Sequence, residues 1–138
     1  MASKNLTTSE KFSLGGSDGV RSYPAGEALG DTGYVFQGEV RYIIPGFKIA
    51  GGDVTVSGFY DQGWVRIQEN FIPPAGGSTT PANANNRRLN GFGIGGSVGK
   101  DSDFVVRASI AWRLEDEAPT SDAAQRIPRV WVQGIKWF

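Results

Sequence analysis

The stretch "FVVRASIAWRL", from Phe104 to Leu114, decides the fold class of this 138-residue chain. Its residues alternate between two sets, as in a β-strand, where successive side chains point to opposite faces of a sheet. The polar set contains Arg107, Ser109 and Arg113. The pattern predicts a strand with one apolar and one wet face. The apolar set is Phe104, Val106, Ala108, Ile110, Trp112 and Leu114.

The same period of two recurs along most of the chain. No segment shows a convincing helical period. We therefore predict an all-β fold, an antiparallel up-and-down meander of about six strands, in a single segment covering residues 1–138. The other predicted strands are "YVFQGEVRY" (34–42), "VTVSGFYDQG" (54–63), "GFGIGGSVG" (91–99) and, with weaker alternation, "NLTTSEKFSLGG" (5–16) and "RVWVQGIKWF" (129–138).

The connections between these strands alternate between long and short. Long ones cover residues 15–32, 70–88 and 115–128, whereas the connections at 44–53 and 100–103 are shorter. Long links therefore lie at one rim of the sheet and short ones at the other. Transmembrane β-barrels show this arrangement, with long external loops and short periplasmic turns.

The side chains on the two faces favour a barrel over its main alternative, a soluble β-sandwich binding module whose apolar set is buried. Charged and amide groups in mid-strand suit a water-filled lumen, and aromatic residues that bound the apolar set suit the two membrane interfaces. The chain also ends on Trp137 and Phe138 directly after a predicted strand, as outer-membrane barrels commonly do. The mid-strand polar residues are Gln37, Glu39, Arg41, Arg107 and Arg113, and the bounding aromatics are Tyr34, Tyr42, Trp64 and Trp112.

The composition excludes several classes of function. The chain has no Cys and no His, which removes disulfide frameworks, thiol catalysis, zinc fingers and the usual general base. Its 14 basic and 14 acidic residues balance, which argues against a nucleic-acid partner. No apolar run is long enough for a transmembrane helix, and "MASKNLTTSE" lacks the apolar core of a signal peptide. We predict no catalytic residue, no cofactor and no metal.

Four motifs in order resemble the haemolysin secretion/activation family, the outer-membrane partners in two-partner secretion. They are "EKFSLGGSDGVRSYPAGEALGDTGY" (10–34), "GFYDQG" (58–63), "ASIAWRL" (108–114) and "RVWVQGIKWF" (129–138). The resemblance implies the C-terminal part of a sixteen-stranded barrel. Its sixth external loop, hereafter the lumen loop, would cover about residues 15–33, and its last strand about 129–138.

The resemblance also implies a function and partners. Such transporters export a secreted β-helical haemolysin or adhesin through the bacterial outer membrane, and they are not enzymes. The lipid bilayer and the barrel-assembly machinery are further partners, with Phe138 as the C-terminal assembly signal. Because the family's two POTRA domains are not in this sequence, we expect the chain alone not to export a partner. A barrel-assembly or surface-antigen protein is the alternative within the membrane class.

In this family the arginine of the lumen loop folds inward and pairs with an aspartate of a later strand, here Arg21 and Asp61. Asp61 belongs to a polar set, where a fixed arginine can bind a carboxylate through two parallel hydrogen bonds. Exchanging the two charges is then expected to restore what either single change removes. Ser22 stands where the family usually has Gly, a substitution that is unfavourable if the position needs a positive φ. The implied functional residues are Val20, Arg21 and Tyr23 in the loop, and Phe59, Asp61 and Gly63 on the strand.

Overall fold

The computed structural model describes Thr7 and residues 10–68, 85–114, 119–121 and 127–138. Within these ranges the chain forms seven β-strands and no α-helix, and no helix there could span a membrane. The all-β prediction is confirmed. The strands are β1 (Phe12–Ser13), β2 (Leu29–Gly30), β3 (Thr32–Ile49), β4 (Gly52–Arg66), β5 (Asn86–Lys100), β6 (Phe104–Arg113) and β7 (Arg129–Lys136).

The five long strands form one antiparallel sheet in the order β3-β4-β5-β6-β7, so every neighbour in the sheet is also a neighbour in the chain. β1 and β2 form a separate two-stranded pair. The turn between β3 and β4 is only Ala50 and Gly51, and both have a positive φ, as tight hairpin turns with the twist of the strands require. This turn is shorter than the predicted 44–53 connection, because β3 continues to Ile49 past a register shift after Ile43.

The segment predicted as the first strand differs most from expectation. Of residues 10–16 only Phe12–Ser13 are strand, and they pair with β2 instead of extending the large sheet. The physical reason is that side chains of this segment have partners elsewhere. Lys11 Nζ donates to the main-chain oxygen of Ile67 at 2.9 Å and lies 3.3 Å from the buried carboxylate of Asp31. The rest of the predicted strand lies largely outside the described residues.

The sheet has two chemically different faces. Up to the register shift in β3, odd-numbered residues pair with odd-numbered ones across all five strands, so one parity shares one face. Odd residues of all five strands of this sheet line one common cavity, with a few even ones such as Gly96 and Val132, so the sheet curves around this cavity. We call the odd face the lumen face and the even face the outer face. Polar residues lining the cavity include Gln37, Glu39, Arg41, Thr55, Ser57, Ser97, Arg107, Ser109 and Gln133.

The outer face is apolar and exposed. Val40 is 79% exposed, Val132 71% and Phe36 58%, although all three are in the middle of long strands. A β-sandwich would bury this set against a second sheet, so that alternative is wrong for the described residues. The prediction of a barrel wall, apolar on the outside and polar on the inside, is confirmed.

The buried apolar core lies on the lumen face. Leu14, Val20 and Tyr23 are fully buried there against Val65 of β4 and Leu89 of β5. The core therefore joins the lumen loop to the sheet and does not lie between two sheets. Burial of these apolar residues therefore stabilises the docked position of the loop.

Arginine substitutions should separate the two faces energetically. Ile94 lies on the outer face of β5 and is 57% exposed, so Ile94→Arg in the full-length gene product should destabilise the folded barrel in lipid vesicles by about 2–4 kcal/mol. Ser97→Arg, on the cavity side of the same strand, should change stability by less than about 1 kcal/mol. Denaturant unfolding in vesicles measures both. Equal destabilisation by the two variants would contradict the assignment of the faces.

Candidate functional site

Arg21, near the tip of the lumen loop, binds Asp61 of β4 through three hydrogen bonds. Its Nε donates to Oδ2 at 2.9 Å and its Nη2 donates to Oδ1 at 2.8 Å, which is the bidentate geometry of a strong ion pair. The main-chain N–H of Arg21 also donates to Oδ2 at 3.0 Å. The Asp61 side chain is fully buried. The carboxylate thus holds both the side chain and the backbone of the loop.

This geometry bears on the predicted effect of exchanging the two charges. An arginine at position 61 would direct donors at the main-chain N–H of residue 21, which now donates to Asp61. Exchanging the two charges is therefore not expected to restore the contact. Neutralising Asp61 is the cleaner experiment.

The arginine is held on its remaining sides as well. Nη1 of Arg21 donates to Glu39 Oε2 at 2.7 Å, and Glu39 Oε1 accepts from Arg41 Nε at 2.6 Å. The guanidinium carbon lies 3.4 Å from the centroid of the Phe59 ring, a close cation–π contact. Burial lowers the pKa of Arg21, but its hydrogen bonds to Asp61 and Glu39 outweigh burial and raise the pKa above its ordinary value. The guanidinium therefore stays charged.

Two side chains of the sheet bind the backbone of the loop tip. Gln37 Nε2 of β3 donates to the Gly19 oxygen at 2.8 Å, and Trp131 Nε1 of β7 donates to the Arg21 oxygen at 2.7 Å. The first and last strands of the sheet thus both reach the tip. The sequence did not predict Trp131 as a residue of this site. Its strand alternates weakly, and nothing in the pattern distinguishes an indole that faces the lumen.

The apolar residues of the motif fill space that a glycine leaves open. A Cβ added at Gly63 would lie 2.8 Å from Leu14 Cδ2 and 3.1 Å from Val20 Cγ2. Tyr23 is fully buried beside them, with the Arg113 guanidinium 5.8 Å from its ring centroid. The structure therefore brings together all six residues predicted for the loop and its strand.

Ser22 is accommodated without a strained backbone. The non-glycine residues with a positive φ in the described ranges are Ala28, Ala50 and Ser102, so Ser22 does not need the conformation that favours Gly. Its side chain is buried against Gly91 of β5, where an added Cβ would lie 2.0 Å from Ser22 Oγ. The serine fits because position 91 has no side chain.

A second polar cluster, which the sequence prediction missed, surrounds Glu27. Its carboxylate is fully buried and accepts from the main-chain N–H of Thr120 at 3.0 Å and of Ser121 at 2.9 Å. The hydroxyls of both residues and the Arg87 guanidinium also donate to it. Burial raises the pKa of Glu27, but the hydrogen bonds from Ser121 and Thr120 outweigh it and lower the pKa to about 2.

Phe138 lies apart from this site. It is fully exposed after the end of β7, and its ring centroid is 5.5 Å from Lys136 Nζ. Its predicted role as an assembly signal stays a prediction. Among the described residues no group of three His, Cys, Asp or Glu side chains could hold a metal ion.

The fold and site together define a class. A curved antiparallel sheet, apolar outside and polar inside, with a loop bound to its inner face by a buried ion pair, is the wall of a transmembrane β-barrel. The docked loop lies at the rim where β4 ends at Arg66, β5 begins at Asn86 and β6 ends at Arg113.

Comparison with known proteins gives the family. The family described as haemolysin secretion/activation protein ShlB/FhaC/HecB matches residues 1–81. The heme/hemopexin transporter protein HuxB of Haemophilus influenzae strain 86-028NP is 31% identical over 138 residues, which is 99% of this chain and 22% of that protein. HuxB of strain ATCC 51907 / DSM 11121 / KW20 / Rd gives the same values. No solved structure matches the chain.

The chain belongs to the haemolysin secretion/activation family. It is a segment of a β-barrel of the Gram-negative outer membrane. It spans about a fifth of the length of the HuxB relatives and matches them along nearly all of its own.

Gly91→Ala should weaken the docking of the lumen loop. The added Cβ would lie 2.0 Å from Ser22 Oγ and 2.6 Å from Ser22 Cβ, and such overpacking costs about 1–3 kcal/mol. Trypsin cleavage after Arg21, measured on the full-length gene product in vesicles, should therefore rise at least about fivefold.

Two further variants make this test specific. Gly58→Ala is the matched control, because Gly58 is on the outer face and an added Cβ there meets no described atom within 4 Å. Combining Ser22→Gly with Gly91→Ala removes both contacts with the Ser22 side chain and should restore most of the protection, with the Trp112 main-chain oxygen left 3.0 Å from the added Cβ. Equal cleavage of the Gly91 and Gly58 variants, or no rescue by Ser22→Gly, would show that this contact does not control docking.

Acid should loosen the base of the lumen loop. Because the Glu27 pKa falls from 4.5 to about 2 on folding, Glu27 stabilises the docked loop fully above pH 4.5 and loses that contribution as the pH falls toward 2. Pepsin cleavage within residues 20–30 should increase between pH 4 and pH 2. In Glu27→Gln, the cleavage rate at pH 4 should already be higher than in the unmodified protein, and it should increase less between pH 4 and pH 2. An identical increase in both proteins would assign the effect to other carboxylates.

Proposed function

We propose that this chain is the part of a two-partner secretion transporter that keeps its pore closed, and that the transporter exports a β-helical haemolysin- or adhesin-type exoprotein. The transporter acts as a conduit and not as an enzyme. The observation that carries this proposal is the lumen loop bound by Arg21 to the buried Asp61. The bilayer surrounds the outer face, and the barrel-assembly machinery inserts the barrel with Phe138 as its signal.

The bound loop supports a closed resting state. It lies on the lumen face, where its apolar residues are buried against β4 and β5 and its arginine spans Glu39 and Asp61. An exoprotein can pass only after the loop has left this position. The ionic contacts suit such a movement, because water in an open lumen can solvate each charge after the loop leaves.

The lumen face also suits the passage of an extended polypeptide. Its lining includes hydroxyl and amide side chains on neighbouring strands, together with charged residues such as Arg107 and apolar ones such as Val105. The hydroxyl and amide groups can form weak, exchangeable hydrogen bonds with the main chain of a passing polypeptide. Representative residues are Thr55, Ser57, Ser97, Ser109 and Gln133.

The relatives favour a second candidate for the cargo. HuxB is described as a heme/hemopexin transporter protein, and it matches nearly the whole of this chain at 31% identity. A transporter of this kind would export a protein concerned with haem or haemopexin in place of a haemolysin or adhesin. Co-expression of the full-length gene product with one exoprotein of each type, followed by detection in the medium, distinguishes the two.

Asp61→Asn should open the pore. The variant keeps the shape of the side chain but leaves the largely buried Arg21 charge with Glu39 alone, and breaking a buried ion pair costs about 3–5 kcal/mol. Planar-bilayer recordings of the full-length gene product should show a larger mean conductance and more frequent open events. Secretion of a co-expressed exoprotein should change at the same time.

Asp53→Asn is the control, because Asp53 lines the same cavity on the same strand but pairs with Lys48 at a well-exposed site. Its conductance should match that of the unmodified protein. A closed Asp61→Asn pore, or an equal effect of both variants, would mean that the Arg21 pair does not hold the pore closed.

A further inference from the structure

We infer that Glu27 is a second and separate lock on the lumen loop, which fastens the base of the loop to β5 and to the connection between β6 and β7. The inference rests on the proposed function, since it concerns the loop that must move during export. Glu27 is then a positioning residue: it controls where the loop rests and does not contact the exported chain.

The two locks share no residue. Arg21 at the tip binds Asp61 and Glu39, whereas Glu27 binds Arg87, Thr120 and Ser121. Thr120 and Ser121 are 93 and 94 residues from Glu27 in sequence. None of the bonds that Arg21 makes to Asp61 or Glu39 involves their connection. The base of the loop can therefore be released while the tip stays bound, and the reverse also holds.

The site around Glu27 is built for a carboxylate. Two successive main-chain N–H groups and two hydroxyls converge on its oxygens, and Arg87 supplies the opposite charge. The Glu27 side chain is fully buried and that of Arg87 is 12% exposed. Arg87 Nη1 also donates to Thr120 Oγ1 at 3.0 Å, which ties β5 to the connection directly. Every one of the bonds to Glu27 needs acceptor oxygens at this position.

The main chain of the loop base depends on the same residue. The main-chain oxygen of Glu27 accepts from the Gly15 N–H at 3.2 Å, and the main-chain N–H of Glu27 donates to the main-chain oxygen of Pro24 at 3.3 Å. Holding Glu27 therefore holds both the incoming and the outgoing arms of the loop. With the tip alone released, the loop can swing about this base, and complete withdrawal from the lumen requires the Glu27 contacts to break as well.

Hydrogen–deuterium exchange of the full-length gene product in nanodiscs tests the inference. Glu27→Gln keeps the shape of the side chain and removes its charge, and it should raise exchange of amides in residues 26–31 and 119–121 by at least about tenfold. Amides in residues 19–23 should stay within about twofold of the unmodified protein. Asp61→Asn should give the opposite pattern, and the double variant both. Ser121→Ala, which removes one hydroxyl donor only, should give a smaller increase at 119–121.

Two results would overturn the inference. If Glu27→Gln leaves exchange at 119–121 unchanged, Glu27 does not fasten this connection. If Glu27→Gln and Asp61→Asn each loosen both regions equally, the loop is one cooperative unit with a single lock. Because exchange is measured without cargo, a failure of the unmodified protein to export any exoprotein would count against the proposed function and leave the two-lock pattern standing.

Discussion

The position of the tip of the lumen loop depends on one buried charge, the carboxylate of Asp61. In the docked state it has no access to water, so it must receive hydrogen bonds from the protein or lose several kcal/mol. Arg21 provides two from its side chain and one from its backbone. Mutation of one partner is therefore costly, because the other charge stays buried alone. Withdrawal of the whole loop costs much less, because water then reaches both charges together.

Glycines on the lumen face leave room for the side chains that surround the ion pair. A Cβ at Gly93 would lie 2.4 Å from Phe59 Cζ, so the Phe59 ring can occupy its position beneath the Arg21 guanidinium only with Gly at 93. Gly91 in the same way leaves room for Ser22. The glycine-rich sequence of β5 thus has a steric role. It creates a shallow surface on which the loop lies.

Sequence alone predicted the parts of this structure that repeat with a short period. Strict alternation placed Asp61 and Glu39 on the lumen face, and the resemblance to a family supplied the partner of Asp61. Alternation carries no information on the course of a long connection, so the contact of Glu27 with Thr120, 93 residues away, could not be predicted. The length of the first strand was overestimated for a related reason. Residues such as Lys11 have long-range partners, and a local sequence pattern does not reveal them.

Ionic and apolar contacts have different roles in holding the loop. Burial of Leu14, Val20 and Tyr23 supplies attraction that is non-directional and independent of charge. Such attraction by itself would tolerate several registers of the loop on a smooth, glycine-rich surface. A bidentate arginine tolerates only one, because its two N–H groups must meet two oxygens of a fixed carboxylate. The apolar cluster therefore draws the loop back to the lumen face, and the ion pair at Asp61 selects the register in which it comes to rest.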